Sequence, residues 1–290
     1  MDFLQPTSWE EALGLRAERP DALPVAGGTD VMVELNFDRR RPGALLDLTR
    51  VPELREWSAD DVRVRLGAGV SYARIITELG AALPGLAMAS RTVGSPQIRV
   101  RGTVGGNLGS ASPAGDAHPP LLAAGAVVEV ASAARGRRQI PAAEFFTGVK
   151  RNALAPDELI AAVLVPPAAG PQQFCKVGTR NAMVIAVSAF ALALHPDREA
   201  VGTGIGSAAP TPRRAAEAEE FLAGELAAAG LWRTRAALPG ELAAEFGRRV
   251  AAAAAPIDDV RGSAAYRRHS LAVMARRAAT WAWDDLRKAG

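Results

Sequence analysis

Two glycine-rich segments carry the chemistry-bearing pattern of this chain: Ala26-Gly27-Gly28-Thr29-Asp30 and Thr103-Val104-Gly105-Gly106-Asn107. Each follows a segment that reads as extended, and each sets paired glycines beside a small hydroxyl residue. Glycines let a backbone approach a ligand closely and aim its N–H groups at it. A diphosphate is the usual partner of such bare amides. Two such segments in one chain suggest a dinucleotide held from both sides. Neither has the glycine spacing of a Rossmann fingerprint or of a P-loop, so each alone also reads as a plain turn.

A third segment, Gly109 to Pro120, reads as a long irregular loop. Long ordered loops inside compact domains tend to be functional. Within it, Asp116 reads either as the cap of a helix opening at Pro119-Pro120 or as the partner of a ligand hydroxyl. His118, next to those prolines, reads as solvent-facing. No residue stands out as a general acid or base, so no catalytic residue is expected. His118, His195 and His269 are far apart and have no metal-ligand spacing. Cys175 is the single cysteine, which excludes an internal disulfide and an iron–sulfur cluster held by this chain alone.

The elements that must position these segments follow from the pattern. The chain has 290 residues, 49% hydrophobic and 22% charged, enough for one large domain or two modest ones. A net charge of +3, spread along the chain, argues against nucleic acid. Basic residues are almost all arginine, the lysines being Lys150, Lys176 and Lys288. No apolar run is long enough to span a membrane and the start, Met1-Asp2-Phe3, does not resemble a signal peptide, so a cytoplasmic location is expected.

Helices are expected over Trp9–Arg19, Ser71–Leu79, Ala215–Ala223, Glu241–Ala254 and Ser263–Leu286, the last with Tyr266, Ser270, Met274, Ala278 and Trp281 on one face. Strands are expected over Leu23–Ala26, Ala44–Leu48, Asp61–Ala68, Ala126–Ala131 and Leu159–Val165. Met183–Leu194 reads as a strand or a buried helix. The run Pro166 to Pro171 reads as a linker.

At this point the sequence resembles a known family. Ala26–Asp30, Gln97-Ile98-Arg99 with Thr103–Asn107, and Ala111-Ser112-Pro113-Ala114-Gly115-Asp116 are similar to the FAD-binding medium subunit of the molybdenum hydroxylases. That family includes the xanthine dehydrogenases and the aerobic carbon monoxide dehydrogenases. Past the linker the likeness continues through Phe174–Arg180, Gly206–Pro212, Asp258–Ser263 and Tyr266-Arg267-Arg268, so it covers nearly the whole chain in order.

The resemblance implies an α+β fold. A two-subdomain FAD-binding domain of the vanillyl-alcohol-oxidase (PCMH) type would occupy residues 1–167, divided at 57/58. An α+β C-terminal domain of the carbon monoxide dehydrogenase flavoprotein type would occupy 172–288. It implies that Pro24, Val25, Ala26, Gly27, Gly28, Thr29, Asp30 and Val31 form one pyrophosphate loop, and Thr103, Val104, Gly105, Gly106 and Asn107 the other. Asp116 matches an acidic residue on the cofactor, Val93 and Ile160 match apolar neighbours of the flavin, and Lys176 matches a lysine near the isoalloxazine. Without the resemblance, Lys176 reads as a surface lysine in a strand. The chain departs from many relatives near Val100, where they carry asparagine.

The implied function is electron transfer through non-covalent FAD, from 2Fe–2S clusters to an external acceptor. The clusters would sit on an iron–sulfur small subunit and the molybdenum cofactor on a large subunit, in a dimer of heterotrimers. A purine such as xanthine is the implied substrate. A stand-alone FAD-dependent reductase or oxidase, and a non-catalytic scaffold, remain alternative readings.

Overall fold

The computed structural model describes residues 1–289. Asp2–Leu4 (β1), Trp9–Glu18 (α1), Leu23–Val25 (β2), Val31–Asn36 (α2) and Ala44–Asp47 (β3) build a first unit. Its strands run parallel in the order β1-β3-β2. The central strand β3 buries Ala44, Leu45 and Leu46 in succession, the apolar run expected of a parallel strand covered on both faces. Ser8 caps α1, its Oγ accepting the Glu11 amide at 3.2 Å.

The second unit contains Trp57–Ala59 (β4), Val64–Gly67 (β5), Tyr72–Glu78 (α3), Pro84–Thr92 (α4), Pro96–Arg101 (α5), Val104–Ser110 (α6) and His118–Ala123 (α7). It continues with Val127–Ser132 (β6), Gly136–Pro141 (β7), Ala142–Phe145 (α8), Phe146–Gly148 (β8), Arg151–Asn152 (β9) and Leu159–Val165 (β10). Five strands pair antiparallel in the order β4-β5-β10-β6-β7, with β10 central and buried along its whole length. The strand expected from Asp61 starts only at Val64, because the Asp60 carboxylate takes the amides of Val62 and Arg63, both at 2.8 Å, into a turn. Ala44 and Leu46 of the first unit share one hydrophobic core with Leu66 and Val163 of the second.

The third unit is an antiparallel sheet of Gln172–Val177 (β11), Ser188–His195 (β12) and Ala200–Gly206 (β13). Helices Ala216–Ala228 (α9), Leu231–Thr234 (α10), Gly240–Ala252 (α11) and Ala264–Lys288 (α12) complete it. The apolar run from Met183 resolves into a strand only from Ser188. The buried face of α12 is Arg267, Ser270, Leu271, Met274, Ala275, Ala278, Ala279, Ala282, Trp283 and Leu286. Tyr266 and Trp281, expected on that face, are instead each 47% exposed. The buried rows advance by four residues, which on a 3.6-residue helix turns the seam by about 40° per step, so it has left the line of Trp281 by the last turns.

The third sheet has a large face and a small face. Phe190, Leu192, Leu194, Val201 and Ile205 point into a core shared with α9, α11 and α12. The alternate positions are Ala191, Ala193, Gly202, Gly204 and Gly206, and against them lies α7, whose six residues are all buried. The approach is backbone to backbone. A Cβ on Gly202 would lie 2.0 Å from the Ala123 carbonyl oxygen, and one on Gly204 2.0 Å from that of Pro119. His195 Nε2 adds a 3.3 Å hydrogen bond to the Ala123 carbonyl.

Gly204→Val is therefore expected to destabilise the protein by at least about 2 kcal/mol, through overpacking against a main chain that cannot yield. Gly224→Ala in α9, where a Cβ meets nothing within 4 Å, is the control and should be neutral or stabilising. Urea midpoints of the two variants test this; equal midpoints would contradict it.

Candidate functional site

The first glycine segment lies where β2 ends and α2 begins. Pro24 and Val25 are in the strand, Ala26 to Asp30 form the turn, and Val31 opens the helix. Gly28 has φ +75°, a left-handed conformation that favours glycine. Gly27 is needed for a different reason: a Cβ there would lie 2.0 Å from the Arg101 carbonyl oxygen. The amides of Gly27, Gly28, Thr29 and Asp30 donate to no backbone acceptor among the described residues. A run of such amides beside a left-handed glycine is a concave anion-binding turn.

The second segment differs from the sequence reading. No extended stretch precedes it; α5 does, and Val104 to Asn107 form the opening of α6. Its amides are already used. Val104 donates to the Val70 carbonyl (3.3 Å), Gly105 to that of Ala68 (3.0 Å) and Asn107 to that of Thr103 (3.0 Å). Gly106 donates to Thr103 Oγ1 at 3.0 Å, the N-cap bond. Glycine is weak in helices, so its pairing argued for a loop. Here capping and close packing override that tendency. A Cβ on Gly105 would lie 2.5 Å from both the Ala68 Cβ and its carbonyl oxygen. Gly106 faces the first turn, a Cβ there falling 3.8 Å from that of Ala26. The two segments are thus neighbours, with bare amides on the first only.

The expected long loop shrinks to Ala111–Ala117, between α6 and α7. Asp116 does not cap α7; Ala117 holds that position without a side-chain bond. Its Oδ2 instead accepts from Lys176 Nζ at 2.6 Å and from Thr92 Oγ1 at 3.4 Å. Lys176 also donates to the Thr92 carbonyl at 3.2 Å. The side chains of Lys176 and Asp116 are 8% and 10% exposed, so Lys176 is no surface lysine. Burial raises the Asp116 carboxyl above its ordinary value, while the Lys176 ammonium pulls it back.

His118 also departs from expectation. It is wholly buried, with its ring centroid 4.5 Å from that of Phe146. Its Nε2 sits 3.1 Å from the Asn107 carbonyl, and burial lowers its pKa to about 4, so it is a neutral donor there. The prolines that suggested a surface instead open a helix that the third sheet covers. Val93 ends α4, half-buried, its carbonyl accepting from Arg99 Nη1 at 3.1 Å. Ile160 lies on β10 beneath α6, where a Cβ on Gly109 would be 3.9 Å from its Cδ1.

Asn107 Oδ1, Asp116 Oδ1, His118 Nδ1 and the Tyr72 hydroxyl are buried without a hydrogen-bond partner. Native proteins pair such atoms, with protein, water or ligand. Buried hydrogen-bonding atoms beside a turn of unused amides suit a ligand that carries both hydroxyls and a diphosphate, so the residues present fit FAD. Sequence reasoning missed Tyr72, Thr92 and the burial of His118. Only the Ser71 cap before Tyr72 pointed to an ordered helix start there.

Lys176→Met would leave a buried carboxylate unpaired and is expected to cost about 3–5 kcal/mol at neutral pH. The folded Asp116 would then titrate still further above its unfolded value of 3.8. Protonation would relieve the penalty, so the variant's stability should be highest near that value and fall as pH rises above it. Adding Asp116→Asn should recover stability and flatten the pH profile. Unfolding curves across pH test this; a loss independent of pH would refute it.

Residues 1–168 match the family described as FAD binding domain in molybdopterin dehydrogenase, and residues 173–282 match the CO dehydrogenase flavoprotein C-terminal domain. The chain is 33% identical to the nicotinate dehydrogenase FAD-subunit of Eubacterium barkeri, over 77% of this chain and 79% of that one. It is also 33% identical to the nicotine 6-hydroxylase medium subunit of Paenarthrobacter nicotinovorans, over 95% and 94%. A chain of the reconstituted CO dehydrogenase from Oligotropha carboxidovorans superposes with a TM-score of 0.89 at 28% identity, covering 98% of each. With these likenesses, the chain belongs to the FAD-binding medium subunits of the molybdopterin dehydrogenases, oxidoreductases of the xanthine and CO dehydrogenase family.

Proposed function

We propose that this chain binds FAD non-covalently and serves as the electron-exit subunit of a molybdenum hydroxylase. The observation that carries the reading is the pairing of a turn of unused amides with buried, unpaired acceptors at Asn107 and Asp116. The Gly27–Asp30 amides would take the diphosphate, and Asn107 and Asp116 its hydroxyl-bearing neighbour. Val93 and Ile160 would line the ring's apolar surroundings, and Lys176 would bring a fixed positive charge near the isoalloxazine. The ammonium end of the Lys176–Asp116 pair, turned toward the ring, would favour the electron-rich form of a flavin. When bound, FAD would supply one- and two-electron chemistry between 2Fe–2S clusters and an external acceptor.

The division of labour follows residues 1–57 and 58–167 for the cofactor and 172–288 for the wall that carries Lys176. The single cysteine supports placing the clusters on another polypeptide, an iron–sulfur small subunit. The molybdenum cofactor on a large subunit and a cytoplasmic dimer of heterotrimers complete the proposal by likeness to the family. The two relatives are named for nicotinate and nicotine, which supports a nitrogen heteroaromatic as substrate, a purine such as xanthine being the specific case. No helix among the described residues is long and apolar enough to cross a membrane.

Purified chain is expected to carry FAD that acid precipitation releases fully into the supernatant; flavin retained in the pellet would refute non-covalent binding. Gly28→Val, which forces a β-branched residue to φ +75°, should abolish FAD binding. Alone, the chain should not oxidise purines or pyridines. With the two partner subunits, substrate should bleach the flavin absorbance. Substrate oxidation by the chain alone, free of molybdenum and iron, would overturn the subunit reading.

A further inference from the structure

Tyr72 opens α3 directly after the Ser71 cap and is 3% exposed. Its ring rests on Gly102: a Cβ there would lie 3.3 Å from Cδ2 and 3.4 Å from Cε2. The first glycine turn packs on that same residue, since a Cβ on Gly27 would lie 3.0 Å from the Gly102 Cα. One backbone segment therefore separates the phenol ring from the turn of unused amides. The charges of Asp30, at the end of that turn, and of Asp116 both reach the phenol. Its hydroxyl is buried and bonded to nothing among the described residues.

Phenylalanine would fill the same space without leaving a polar atom unpaired in the core. The hydroxyl therefore adds nothing to packing and forfeits the hydrogen bonds it makes with water. A partner that the protein itself does not provide, a water or a ligand, would satisfy it. A phenol offers one O–H donor, and the unpaired oxygens of Asn107 and Asp116 are acceptors. We propose that Tyr72 is a cofactor-binding residue whose hydroxyl donates to an FAD oxygen in the stretch between the first glycine turn and Asp116. Burial and the two carboxylates hold the phenol's pKa well above its ordinary value, so it keeps its proton and remains a donor at working pH.

The inference rests on the FAD reading, and one experiment separates the two. Full-length apo-protein, wild type and Tyr72→Phe, is titrated with FAD by flavin fluorescence, and the thermal midpoint of each apo form is measured. The expected result is FAD binding about tenfold weaker in Tyr72→Phe, the loss of one net hydrogen bond. The apo midpoint should be unchanged or higher, because an unpaired hydroxyl has been removed. If wild type binds FAD and Tyr72→Phe binds it within about twofold, the role of Tyr72 is refuted while the FAD reading stands. A lowered apo midpoint would refute it equally, by showing that the hydroxyl is bonded within the protein. Wild-type protein that takes up no FAD would refute the FAD reading, and Tyr72 with it.

Discussion

The contact between α7 and the small face of the third sheet governs the rest of the structure. Glycines on β13 and alanines on β12 let the α7 main chain approach the sheet closely. Larger residues on that face would push the helix away, and a packed interior offers no room to absorb the shift. What the site takes from the C-terminal part arrives through this contact and through α4, whose Gly85 amide donates to Gln172 Oε1 on β11 at 3.0 Å and whose Thr92 carbonyl accepts from Lys176. Lys176 on β11 reaches Asp116 because the sheet that carries it is seated on the helix that follows Asp116. Beside that contact, the Ser207 amide donates to the Pro113 carbonyl at 2.8 Å, which ties the loop after β13 to the segment leading into Asp116. Buried Arg267 holds that loop from behind, through the carbonyls of Ser207 and of Val187 and the Asp259 carboxylate.

Burial gives this arrangement its electrostatic character. An ammonium and a carboxylate that are each about nine-tenths buried interact strongly, and each depends on the other to offset its lost hydration. A fixed ion pair in a dry wall presents an oriented dipole to a bound ligand without first reorganising solvent. Neutral His118 serves the same rigidity: it ties α6 to the start of α7 through the Asn107 carbonyl. The site is thus built from groups already held by the protein, with a few hydrogen-bonding atoms left over for a ligand. Preorganisation of that kind reduces the ordering that binding must impose.

The two glycine pairs look alike in the chain and do different work. At Gly27-Gly28 the backbone turns through a left-handed residue and leaves its amides open. At Gly105-Gly106 the backbone is helical and its amides are consumed, and the missing side chain of Gly105 serves close approach to Ala68. The first turn is seated instead where Gly27 packs on the Arg101 carbonyl and Gly102.

Much of the fold was legible in the sequence, because local rules decide it. Ser8, Ser71 and Ser263 each cap the helix they precede, and the buried strands at Ala44 and Leu159 announce themselves as short apolar runs. The glycine motifs and the matching C-terminal segments identified the family. What the chain by itself could not reveal were properties created by neighbours distant in sequence. The burial of His118, the ion pair between residues 116 and 176, and the unpaired hydroxyl of Tyr72 exist only after α7 meets β13 and α3 meets Gly102. A side chain's charge, its partners and its exposure depend on what packs against it. The sequence therefore determined which residues were present at the site, and only tertiary packing decided which of them were left with hydrogen bonds to give.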